Sequence, residues 1–112
     1  MDVGDDIREA TVIALEAMGV PVEYHHHEVG PSQHEIDIRY QEALRMADNL
    51  QTYKYLVKEV ARRCGVFATF MPKPIASENG SGMHTHLSIF NDESTNSFYD
   101  KNDPQHLSAT AK

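Results

Sequence analysis

Residues 79–88 read Asn-Gly-Ser-Gly-Met-His-Thr-His-Leu-Ser, a glycine-rich turn that runs directly into two histidines two positions apart. Read as a strand, the segment sends His84 and His86 to the same face, because strand side chains alternate. Two imidazoles beside such a turn suit a polar site better than a core. A second run, residues 25–35, reads His-His-His-Glu-Val-Gly-Pro-Ser-Gln-His-Glu and adds the carboxylates of Glu28 and Glu35. Together the two runs point to a metal site of mixed oxygen and nitrogen ligands. If the second run folds as a hairpin, Glu35 comes near Glu28, since cross-strand neighbours lie within roughly 5–8 Å. Two carboxylates that close repel unless a cation or a proton intervenes. Carboxylate oxygens suit hard ions, so Mg²⁺ or Mn²⁺ is the natural occupant. His84 offers a nitrogen ligand, which these ions accept less readily than Zn²⁺ does. By spacing alone, Glu28 and Glu35 also fit solvated strand charges, the triple histidine an exposed polar edge, and the glycine turn a plain connection.

Those side chains need elements to hold them. Residues 6–18 predict a helix with Ile7, Ala10, Ala14, Ala17 and Met18 on one face. Asp5 and Asp6 suit its first turn, and Gly19 followed by Pro21 stops it. Residues 22–28 and 33–40 predict two strands joined at Val29-Gly30-Pro31-Ser32. On the first, Tyr24, His26 and Glu28 share a face and His25 and His27 take the other. On the second, His34, Ile36, Ile38 and Tyr40 oppose Gln33, Glu35, Asp37 and Arg39. A long helical pattern follows over 42–64, carried by Ala43, Met46, Leu50, Tyr53, Val57, Val60 and Cys64, with Arg62 and Arg63 in its last turn and Gly65 as its stop. Residues 66–71 and 82–90 predict two more strands. Asp103-Pro104 carries a helix start signal, but the helix it opens has little to bury and reads as truncated at Lys112. The fold class is α+β, in the order α-β-β-α-β-β with an antiparallel sheet.

Composition narrows the chemistry. The chain has 112 residues and a formal net charge of −7, so clustered cations for phosphate backbones are lacking and nucleic acid is not an expected partner. No apolar run approaches the roughly 20 residues needed to cross a bilayer, so no membrane role is expected. The single cysteine, Cys64, permits no internal disulfide and reads as a buried or half-buried thiol in its helix. The first residues lack signal-peptide character, and Met1 reads as an added start before Asp2. A reducing, cytoplasmic setting follows as the default. There is no Gly-x-x-x-x-Gly-Lys phosphate loop, no Gly-x-Ser-x-Gly elbow and no Cys-x-x-Cys pair. A barrel-type His-x-His site wants a carboxylate three or four residues on, and Glu93 comes too late for that.

At this point the motifs resemble a known family, the catalytic domain of glutamine synthetase in its type I bacterial and archaeal form. The carriers are Glu23 through Asp37, the Phe70-Met71-Pro72-Lys73-Pro74 run, and Asn79 through Ser88. The resemblance covers nearly the whole chain. It implies that residues 1–112 are an internal segment of that domain, contributing to the sheet of its half-barrel active site. The N-terminal β-grasp domain and the C-terminal part would then lie outside the segment. It implies an ATP-dependent glutamate–ammonia ligase that forms glutamine through γ-glutamyl phosphate. Glu28 and Glu35 would bind one of two divalent cations, Mg²⁺ or Mn²⁺, and His84 the other. Glu23, His86 and Ser88 would contact ATP, and Asn79 and Gly80 the substrate glutamate. No catalytic residue falls in the chain, because the family's acidic flap residue and its arginines lie elsewhere. The partners implied are glutamate, ammonia and ATP, with a homo-oligomeric, dodecameric parent. The isolated segment is expected to be inactive. Two alternatives remain: a family member that joins glutamate to another amine, and a standalone His/Glu metal-binding module.

Overall fold

The structure is a computed structural model that describes residues 3–91 and 94–112, so Asp2 and Glu93 lie outside the described residues. Four elements follow one another: α1 (Val3–Ala17), β1 (Val22–His27), β2 (His34–Ile38) and α2 (Ala43–Arg63). They match the first four expected elements in type and order. The strands form a two-stranded antiparallel sheet. Residues up to Gly82 make one compact unit, and Met83–Lys112 make a second.

The core of the first unit is small. Leu15, Val20 and Val22 are buried, with Val12, Ile36, Ile38, Tyr53 and Leu56 packed against them. The buried stripe of α1 is Arg8, Thr11 and Leu15, which corrects the expected face. Ala10 and Ala17 are exposed, and Met18 stays 61 % exposed. The physical reason is size. Leu15 gains far more from burial than an alanine does, so the helix turns its leucine inward. Thr11 accepts burial because its hydroxyl donates to the Ile7 carbonyl at 2.8 Å.

Both helices end by the same device. Gly19 has φ +78°, the Val20 N–H donates to the Leu15 carbonyl (2.9 Å), and the Gly19 N–H donates to Glu16 (3.0 Å). Gly65 has φ +75°, with Val66 N–H on Ala61 (3.0 Å) and Gly65 N–H on Arg62 (3.2 Å). These are Schellman closures, and only glycine enters the left-handed region at no steric cost. The first also carries the chain into the core, since Leu15 and Val20 are both buried. Arg62 and Arg63 both reach back to Glu59 and hold its carboxyl at about 2. Cys64 caps α2 beyond its last turn and is exposed, which corrects the buried thiol expected from its helical spacing.

The hairpin register is shifted at one point. Val22 pairs with Ile38, but Tyr24 pairs with Asp37, leaving Glu23 as an extra residue, a β-bulge. Beyond it the pairs are His25 with Ile36, His26 with Glu35, and His27 with His34. Val22, His25, Ile36 and Ile38 therefore share the face that packs on α1. Tyr24, His26, Glu35 and Asp37 share the other.

The later part of the chain departs from expectation. Residues 66–71 and 82–90 form no ladder among the described residues beyond a single bridge between Phe90 and Asn96. Their apolar side chains are turned out: Phe67 is 90 % exposed and Leu87 72 %. A strand exists only through a neighbour's backbone, and alternation along one segment cannot supply that neighbour. The helix expected from Pro104 is also not formed. Asp103 Oδ1 accepts from the backbone N–H groups of Gln105 and Leu107, but His106 sits at φ +58° and turns the chain away. The second unit is closed instead by the Tyr99–Leu107 bridge, by Ser108 Oγ donating to the Ser97 carbonyl (2.6 Å), and by the Lys112–Asp103 ion pair.

Candidate metal centre

The face of the hairpin turned away from α1 gathers the expected chemistry. His26, Glu28 and Glu35 each offer one ligand atom, and these atoms lie within 4.8 Å of one another. The register puts His26 directly opposite Glu35, and Glu28 follows two residues after His26 on the same face. His26 Nε2 donates to Glu28 Oε1 at 2.7 Å. His26 joins the set expected from the sequence, where alternation already put it on the Glu28 face. Only the pairing shows which of the three consecutive histidines stands opposite Glu35.

The charges here oppose one another in an informative way. The His26 N–H and then the Val29 backbone N–H hold the Glu28 carboxyl below its ordinary range. Burial pushes Glu35 up, and the nearby Asp37 and Glu28 charges push it further. The same field reaches two phenols. Asp37, ahead of Glu35, raises Tyr24, while burial first and then Asp37 and Glu35 push Tyr53 to about 12. Asp37 Oδ2 and His26 Nδ1 are buried without a hydrogen-bond partner. A face that crowds carboxylates until one holds a proton more tightly is a face that a cation would relieve. Two carboxylate oxygens and one imidazole nitrogen form a donor set that fits Mn²⁺ or Mg²⁺.

The hairpin turn reaches towards the glycine loop. The Glu28 N–H donates to the Gln33 carbonyl (2.8 Å), and the Gln33 N–H donates to the Gly30 carbonyl (3.1 Å). Gln33 Oε1 accepts from the Gly30 N–H at 2.9 Å, and Gln33 Nε2 donates to the Gly80 carbonyl (3.0 Å) and Ser81 Oγ (3.1 Å). One amide side chain thus ties the hairpin turn to the Asn79–Gly80 segment. A Cβ on Gly80 would stand 3.0 Å from the Pro72 carbonyl oxygen, which also accepts the Ser81 N–H at 2.7 Å. Gly80 lets the two backbones approach that closely. Gln33→Leu removes the tie, and we expect amide exchange at Ser81 to accelerate roughly tenfold, the worth of about one net hydrogen bond. An unchanged rate would show that the Pro72 carbonyl alone holds the loop.

The remaining sequence-derived residues are placed as follows. Glu23 is the extra residue of the bulge and is exposed. Asn79 and Gly80 are exposed in the loop that Gln33 holds. His84, His86 and Ser88 belong to the second unit and are all exposed. No helix among the described residues is long and apolar enough to cross a membrane.

Comparison with known proteins identifies the family. Residues 1–112 match the family described as glutamine synthetase, catalytic domain. The glutamine synthetase of Thermus thermophilus is 54 % identical over 111 residues, which is 99 % of this chain and 25 % of that protein. A cryo-electron-microscopy structure of Plasmodium falciparum glutamine synthetase aligns with TM-score 0.88 and 38 % identity, covering 98 % of this chain and 21 % of that one. A chain solved as a GmaS/ADP complex aligns with TM-score 0.83 and 37 % identity, covering 95 % of this chain and 24 % of that one. The chain spans about a quarter of the length of the curated relatives it matches. With that match along its whole length, the chain belongs to the glutamine synthetase catalytic-domain family.

Proposed function

We propose that this chain supplies part of the metal, nucleotide and glutamate site of an ATP-dependent glutamate–ammonia ligase. The observation that carries the reading is the convergence of His26, Glu28 and Glu35 on one hairpin face, in a chain of this family. In the reaction, a glutamate side-chain carboxylate oxygen attacks the γ-phosphorus of ATP, and ADP leaves. Ammonia then attacks the acyl carbon of the γ-glutamyl phosphate, and phosphate leaves with its bonding pair. Bound divalent cations would neutralise phosphate oxygens and help to orient them in line.

The chain's own residues have separate tasks in this reading. Glu28 and Glu35 hold one cation, and His26 fixes the Glu28 carboxylate through its Nε2–H. His84 contributes to a second cation. Glu23, His86 and Ser88 contact the nucleotide, and nucleotide binding as such is supported by the relative solved with ADP. Asn79 and Gly80 receive the substrate glutamate, with Gln33 and the Pro72 carbonyl setting their loop. No catalytic acid or base is assigned to this chain. Exposed side chains such as Phe67 and Leu87 suit packing against further protein, in keeping with a homo-oligomeric parent.

The test is an assay of the whole protein with glutamate, ammonium, ATP and Mg²⁺. Glutamine, ADP and phosphate should appear in equal amounts, with ADP release dependent on both glutamate and ammonium. ADP release that ignores ammonium but responds to a small primary amine would assign a different acceptor. A protein that binds Mn²⁺ yet makes no γ-glutamyl product with any amine would overturn the ligase reading.

A further inference from the structure

We propose that Arg8 is a positioning residue for the metal centre, gripping both strands of the hairpin from behind through His25 and His34. The inference rests on the reading of Glu28 and Glu35 as cation ligands. Arg8 lies on α1, and only 6 % of it is exposed. Its Nε–H donates to His25 Nδ1 at 3.3 Å, and its NH1 group donates to His34 Nδ1 at 2.6 Å. Its NH2 group pairs with Asp5 Oδ1 at 2.8 Å.

A guanidinium carries only donors, so both rings must accept at Nδ1. That fixes His25 and His34 together as Nε2–H tautomers. The chemistry explains why a cation is buried here. Its charge would be costly without partners, and a methionine would fill the same volume without that cost. What the guanidinium adds is a rigid planar fork with donors in set directions.

Those directions matter because of where the rings sit. His25 is on β1 immediately before His26, and His34 is on β2 immediately before Glu35. His26 and Glu35 are a register pair. Alternation sends the gripped residues to the α1 face and their neighbours to the metal face. One side chain therefore sets the relative position of the two strands at the rung where the ligands stand. Loss of the fork leaves the ligands present but their separation loosely held, and misplaced ligands bind a cation poorly.

The experiment compares the full native chain with Arg8→Met, following Mn²⁺ binding by electron paramagnetic resonance and ring tautomers by two-bond ¹⁵N–¹H correlation. We expect a Kd at least about tenfold weaker, in the range seen when groups behind a metal ligand are removed. Circular dichroism should be unchanged, and the His25 and His34 rings should leave the pure Nε2–H pattern. Native Mn²⁺ affinity in Arg8→Met, with Glu35→Gln impaired, overturns the inference and leaves the metal centre standing. Native affinity in Glu35→Gln as well removes the metal centre, and the inference with it. If Arg8→Met does not fold, Arg8→Lys decides, because it keeps the charge but lacks the fork. Weaker binding with altered ring tautomers then supports the inference. Native binding with native tautomers overturns it.

Discussion

Glu35→Gln is expected to lower Mn²⁺ affinity by about a hundredfold, the largest loss for any single change at this face. The size follows from removing a full negative charge beside a divalent ion while keeping the side chain's shape. Glu35 is the sensitive partner because burial and the Asp37 and Glu28 charges already push its carboxyl above the ordinary 4.5. A cation must displace whatever proton it holds, so affinity in the native chain should fall as pH drops through that raised value. Glu28 does not share this dependence. The His26 N–H holds it below its ordinary range, so it stays charged over the same window. Isothermal titration with Mn²⁺ at several pH values checks both parts. Affinity that is indifferent to pH across the carboxylate range, or to Glu35→Gln, would remove Glu35 from the ligand set.

The second large effect concerns the core. Leu15→Ala should cost about 3 kcal/mol of stability, within the range for emptying a fully buried leucine site. Leu15 has no exposed surface and anchors a cluster of only three buried residues. It is also the carbonyl on which Val20 closes the end of α1. Neighbours have little scope to refill the space in so thin a core. Met18→Ala is the control, because Met18 is 61 % exposed and should change stability by less than about 0.5 kcal/mol. Urea unfolding followed by circular dichroism separates the two. Equal destabilisation by both variants would restore the helix face that spacing alone suggests.

How much could be read from residues alone follows from where the information sits. Both helix ends were legible, because Gly19 and Gly65 state their conformation locally. The hairpin was legible for the same reason, since its alternation and its turn lie within one short stretch. The inward face of α1 was not, because alanines fit either side and only the packed sheet favours Leu15. The bulge was hidden, since Val22 and Tyr24 look like ordinary alternate positions until Ile38 and Asp37 take their places opposite. Strands over 66–71 and 82–90 depend on neighbours that local pattern does not contain. Of the candidate site, Glu28 and Glu35 were evident from spacing and resemblance. His26 needed the register, and Arg8 needed the tertiary fold, because a lone arginine on a polar helix reads as surface.

The extra residue at Glu23 works as a phase shift in the chain. Upstream of it, Val22 keeps time with the core; downstream, the even-numbered positions are released to carry chemistry. Indels elsewhere in a hairpin usually lengthen a loop and leave the faces alone. A single deletion here would also leave them alone, because without Glu23 the pairs Val22–Ile38 and Tyr24–Asp37 become neighbours in a regular ladder and His26 still faces Glu35. The bulge thus gives β1 one residue of slack before His25: the first loss is absorbed, and only a second would turn His26 and Glu28 to the interior.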